Sequence, residues 1–176
     1  MTPRTIAALG VLTAWVAALG FLLVSVPNVE LMTLSAFLSG ALVGTGGGAV
    51  VGFLAMAIFS GLNPYGIAPP PVYATQMLGL AAIGAAGGVV GTRVAPRGIV
   101  SVLVYGALGF SLTVFYDVLT NLATAVVIGA TADPWPVVAA GLAFTVWHFV
   151  FNAIFFAVLA PPFLAWMRRR HARRLA

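Results

Sequence analysis

Between Ile6 and Ala160 the chain is a succession of apolar segments broken by proline and glycine, with no polar stretch longer than about a dozen residues. Such a chain has no room for a solvated surface, so its helices must pack against one another and against lipid. Composition agrees: 62% of residues are hydrophobic and 6% charged, where soluble domains carry about a quarter charged residues. Mean hydropathy is +1.12. Six apolar segments can be drawn: Ile6 to Val26, Leu31 to Val43, Ala49 to Leu62, Val72 to Val90, Ile99 to Ile128 and Pro136 to Ala160. Their boundaries are Pro27-Asn28-Val29-Glu30, Gly44-Thr45-Gly46-Gly47-Gly48, Asn63-Pro64-Tyr65-Gly66 with Pro69-Pro70-Pro71, Arg93 and Arg97 around Pro96, and Pro161-Pro162. Met1 to Val26 has the charge-then-apolar order of a signal peptide. Its apolar run is too long for a typical signal-peptide core and no convincing small-x-small cleavage site precedes Pro27, so it reads as a retained first helix. The expectation is an all-α integral membrane bundle of six transmembrane helices, one domain over 1–176 with a basic tail at 167–176. With no cysteine, disulfides and thiolate metal sites are excluded.

Orientation follows from the arginines, which account for all eight basic residues. With six crossings, Arg4, the Arg93/Arg97 loop and the tail Arg168, Arg169, Arg170, Arg173 and Arg174 share one side. The opposite loops hold Glu30 and Asp133. The positive-inside rule makes both termini cytoplasmic. The tail then meets anionic lipid headgroups, and the arginines' place at helix ends argues against nucleic-acid binding.

Asp117 lies inside the fifth segment, where a carboxylate costs roughly 2.5–3.5 kcal/mol on insertion scales and commonly lines a cavity or pairs with a partner. Thr120, Asn121 and Thr124 follow on the same helical face. Glu30, Thr33, Ser60, Asn63, Tyr65, Tyr73, Gln76 and Tyr116 also fall in the outer half. The pattern describes a cup open to the outside, with Asp117, Asn121, Thr120, Tyr116, Asn63, Tyr65, Gln76, Glu30 and His148 as candidate solute-binding residues.

Each feature has a plainer reading. Threonine and asparagine hydrogen-bond between membrane helices for about 0.6 kcal/mol each. Thr145, His148 and Asn152 form a face on the sixth segment, and a histidine satisfied by a neighbour is the default for His148. Asn152, placed nearer the cytoplasmic side, reads as structural. One histidine and one aspartate do not make a metal site. The glycine-rich turn lacks the Lys-Ser/Thr ending of a phosphate loop and reads as a tight cytoplasmic turn. The stiff segment from Asn63 to Tyr73 is either a re-entrant turn anchored by tyrosine or a lid over the cup. Gly10, Ala14 and Ala18 put small residues on one face of the first helix, where a partner helix can approach closely.

These features together resemble the substrate-binding S components of energy-coupling factor (ECF) vitamin transporters. The likeness covers nearly the whole chain: size, helix count, the short Pro-Asn-Val loop leading into Leu31 to Gly40, the glycine-rich turn, and Val51-Gly52-Phe53 leading to Ser60-Gly61-Leu62-Asn63-Pro64. The resemblance implies a multi-pass protein of a bacterial or archaeal plasma membrane, without cofactor or catalytic activity. It would capture a vitamin-like solute under the loops between helices one and two and between three and four. It also implies as partners a transmembrane coupling subunit, docked on Ala14-x-x-x-Ala18, and two ATP-binding subunits. The sequence departs from nickel and cobalt members, since Met1-Thr2-Pro3-Arg4 lacks their N-terminal histidine motif. Two other classes remain open from the residues: an intramembrane enzyme using Asp117 and His148 on lipid-like substrates, and a small standalone channel or secondary transporter.

Overall fold

The computed structural model describes residues 1–93 and 98–172. Arg97, Arg173 and Arg174, which the orientation reading uses, lie outside the described residues, as do the side chains of Arg93 and His171. The described residues form six helices and no strand: α1 Pro3–Leu22, α2 Met32–Gly61, α3 Pro70–Arg93, α4 Gly98–Val127, α5 Trp135–Phe144 and α6 Val146–Ala172. Five of them, all but α5, are long and apolar enough to cross a membrane. Thr2 caps α1 by accepting from the Thr5 amide at 3.2 Å, just before Pro3 in the first turn.

The 30 residues of α2 are not one rod. Gly44 sits at φ 84°, ψ 172°, a backbone region that only glycine occupies readily. A straight helix of that length would span about 45 Å. Instead Glu30, Met32 and Thr33 at its start and Met56, Phe59 and Asn63 at its end border the same cavity. A Cβ on Gly48 would fall 2.5 Å from the Cα of Gly40, whereas eight residues of continuous helix span about 12 Å. The chain therefore doubles back at Gly44 into two antiparallel arms. Only Gly44 leaves the helix; Thr45 to Gly48, expected as part of a turn, are helical.

α3 fills the seam between the arms. A Cβ on Gly40 or Gly48 would collide with the Gly84 carbonyl, and Gly52 and Gly87 sit equally close to the backbone of Leu80 and Phe37. Backbone contact of this kind is how small residues bind membrane helices together where lipid removes the hydrophobic drive. Tyr73 then donates its hydroxyl to the Ala57 carbonyl at 2.9 Å. α1 lies on α2, with Gly20 under Met32 and Phe59. α4 and α6 pair along Gly106 and Gly109, against Ala157 and Phe156. Phe37 joins the two halves, its ring 5.2 Å from Phe156 and 6.5 Å from Tyr105.

The last segment differs from expectation at both ends. It breaks at Thr145, whose hydroxyl and amide both bond the Gly141 carbonyl, and α5 turns to pack on α4 with Gly141 against Asn121. Thr145 thus stands at the break rather than on a face shared with His148 and Asn152. At the other end the helix runs through Pro161 and Pro162 to Ala172. Neighbouring helices and local adjustment accommodate prolines inside membrane helices. Likewise Pro70 and Pro71 open α3 rather than extend the preceding loop.

Candidate functional site

Glu30 is the residue from which the site is built. It lies in the loop before α2, and its Oε2 accepts from the Thr33 amide at 2.9 Å, meeting a donor that the uncapped helix start leaves open. Its Oε1 accepts from Asn152 Nδ2 at 2.8 Å and faces His148 Nε2 at 3.3 Å. On the far side of the ring, His148 Nδ1 meets Asp117 Oδ1 at 3.0 Å and Oδ2 at 3.2 Å. The order is carboxylate, imidazole, carboxylate. It grows more buried inward: the Glu30 side chain keeps 21% of its surface exposed, His148 11% and Asp117 5%. Burial alone would raise the Glu30 carboxyl. The hydrogen bond and charge of His148, with the Thr33 bonds, outweigh it and hold the group at about 2.

Donor counting fixes what this chain of groups can hold. A neutral imidazole has one N–H, so with both carboxylates ionised it satisfies only one of them. One further proton, shared among the three groups, completes both contacts and leaves a net charge of −1. The carboxylates sit on opposite ring nitrogens and so cannot converge on one ion; among the described residues no cluster of three such side chains suits a metal.

Above Glu30 and His148 opens a cavity of about 240 Å³, room for about eight waters. The loop after α1 supplies Leu23, Val24, Val26, Pro27, Asn28 and Val29 to its wall; Gly20, Met56 and Phe59 add apolar surface, and Asn63, Tyr65 and Tyr116 the polar edges. Asn28, in left-handed conformation at φ 62°, anchors that loop by donating to the Phe144 carbonyl at 3.0 Å. The Asn63 side chain accepts from the Tyr65 amide at 2.9 Å and holds the other loop in a turn. Tyr116 stands edge-on to His148, ring centroids 6.3 Å apart.

Of the nine residues expected to bind solute, Glu30, Asn63, Tyr65, Tyr116 and His148 border this cavity. Four do not. Asp117, 4% exposed, stands behind His148. Thr120 bonds the Tyr116 and Asp117 carbonyls at 3.1 Å each, and Asn121 donates to the Asp117 carbonyl at 2.7 Å. Their polarity is returned to their own helix backbone, as happens where no water competes. Gln76 accepts from Ser60 at 2.7 Å and ties α3 to α2.

Asn152, which the sequence reads as structural, holds Glu30 in place. It is fully buried and braces Glu30, and its Oδ1 has no partner among the described residues. The signal was its i+4 spacing from His148, which puts both on one helix face. Gly10, Ala14 and Ala18 are all exposed, on the side of α1 turned away from α2. Comparison with family models, with curated proteins and with solved structures finds no match.

Proposed function

We propose that this chain is a solute-capturing membrane subunit similar to the S components of ECF importers, with separate chains supplying ATP hydrolysis. The observation that carries the reading is the cavity at one end of the bundle, walled by the loops after α1 and after α2 and floored by Glu30 and His148. Apolar walls with a few convergent polar groups are the usual design of a small-molecule site. Because α2 doubles back to the end where it starts, α1, α3, α4 and α6 bring the chain's two ends to the same side. Arg4 and Arg168, Arg169 and Arg170 then fall at the end away from the cavity. The positive-inside rule puts that end in the cytoplasm and the cavity outside. The exposed small face of α1 supports a docked coupling subunit at Ala14 and Ala18.

Thermal-shift and calorimetric screening of water-soluble vitamins and related micronutrients against the purified chain tests capture. Stabilisation by one of them, lost in Glu30→Ala, is expected; a flat screen without a co-purifying coupling subunit ends the reading. Ala14→Trp should keep solute binding and lose the coupling subunit. The carboxylate–imidazole–carboxylate order favours a second reading, a secondary transporter acting alone, since such chains serve as proton relays in membrane transporters. ATP-independent uptake by this chain in liposomes would select it.

A further inference from the structure

The same cavity carries a statement about the class of its solute, which rests on reading it as a solute pocket. The geometry points to a small organic cation, a charged nitrogen on an apolar body, whose entry displaces the proton shared by Glu30, His148 and Asp117.

Charge is the first ground. Two of the chain's three acidic residues meet at one histidine beneath the cavity, and no arginine among the described residues borders it. An anion would meet the Glu30 carboxylate and a set that keeps a net charge of −1 even with the shared proton on the His148 ring. The second ground is the wall. Most of it is apolar, with the rings of Tyr65 and Tyr116 at the cavity, and aromatic faces attract ammonium groups. The third is proton counting. The titratable groups on the elements around the His148 ring are Glu30 from the loop before α2, Asp117 and Tyr116 from α4, and Tyr65 from the loop after α2. With one shared proton the Glu30–His148–Asp117 set carries −1. When a cation docks at Glu30, an N–H or O–H bond within the set breaks and the proton leaves to water. The groups then carry −2 beside a ligand of +1, so the net charge of the site is unchanged. Exchange of one positive charge for another avoids the desolvation cost that an added uncompensated charge meets in a low-dielectric site.

The test uses the full chain in detergent. Its probes are benzylammonium and benzyltrimethylammonium, with benzyl alcohol and benzoate as neutral and anionic counterparts. Calorimetry in two buffers of different ionisation enthalpy reads the protons released. Both cations should bind, with release of up to about one proton each, and their affinity should fall by up to about tenfold per unit as pH drops from about 8 to about 5. Glu30→Gln should weaken cation binding by roughly 10- to 100-fold. Asp117→Asn, which leaves the cavity wall intact, should lower the proton count. That count is read on the unmodified chain, so it stands whether or not either variant folds. Binding of benzyl alcohol or benzoate as tight as that of the cations overturns the cation assignment while leaving a solute pocket in place. Cation binding without proton release overturns the exchange. No binding of any probe at about 10 mM also removes the cation inference, while the micronutrient screen decides solute capture separately.

Discussion

Asn152 reaches across 122 positions of sequence to donate to Glu30 Oε1 at 2.8 Å, fastening the loop before α2 to the interior of α6. Because Asn152 is fully buried, its loss would leave Glu30 short of its closest donor. A hydrogen bond to a charged group is worth about 1.5–3 kcal/mol. Asn152→Ala should therefore lower the melting temperature of the empty protein clearly more than Thr124→Ala, whose hydroxyl bonds only the Thr120 carbonyl of its own helix. Equal shifts in the two variants would mean that the cross-link holds nothing.

Glu30 and Asp117 should separate by readout. Asp117 touches His148 but not the cavity, so Asp117→Asn should lower the melting temperature of the empty chain while changing solute dissociation constants less than about tenfold. Glu30 borders the cavity, and Glu30→Gln should weaken a bound cation by roughly 10- to 100-fold, the equivalent of about 1.5–3 kcal/mol. Calorimetry with benzylammonium, paired with unliganded melting curves, measures both. The reverse assignment of effects would return Asp117 to the cavity wall.

The membrane class, the helix content and part of the polar cluster at one end of the bundle were legible because apolar length and polar spacing are local properties of the chain. Asp117 and His148 stood out for the same reason: ionisable groups inside apolar runs are rare. What was not legible depended on pairing across the bundle. Thr120 and Asn121 share a face with Asp117, yet nothing in their spacing distinguishes a side chain aimed at solute from one bonded to its own backbone. Glu30 sits in a loop that the sequence places on the outer side, but its meeting with Asn152 requires α6 to begin at Val146. That start follows from the break at Thr145, which a continuous apolar run from Pro136 conceals. Pro161 and Pro162 mark a helix end in the sequence but not in the fold, since neighbours in a membrane bundle can satisfy what proline removes.

Acid should destabilise the fold through Glu30. Its folded value of about 2 lies below its ordinary 4.5, so its contribution is fully present above about pH 4.5 and is lost as pH falls toward about 2. The carboxylate keeps 21% of its side-chain surface exposed, so solvent screening limits the contribution to at most about 3 kcal/mol. Melting temperatures in detergent between about pH 6 and about pH 2.5 should decline in the unmodified chain and decline less in Glu30→Gln. Parallel curves would show that Glu30 does not carry the acid response.

The turn at Gly44 gives the sharpest test of the fold. At φ 84° and ψ 172° a side chain is strained by about 1–3 kcal/mol, although nothing lies within 4 Å of a Cβ placed there. The cost of Gly44→Ala is thus conformational and not steric. Gly46, two residues on, also has open space around its Cβ, but it is helical, where alanine is favoured over glycine by about 1 kcal/mol. Gly44→Ala should therefore lower the melting temperature and Gly46→Ala should hold or raise it. Gly48→Ala adds the third case, a helical position whose Cβ would strike the Gly84 carbonyl, and it should destabilise by pushing α3 out of the seam. If α2 were one continuous rod, Gly44→Ala would behave like Gly46→Ala. Melting curves of the three variants side by side decide between the rod and the hairpin, and with it whether Glu30 and Met56 can share one cavity.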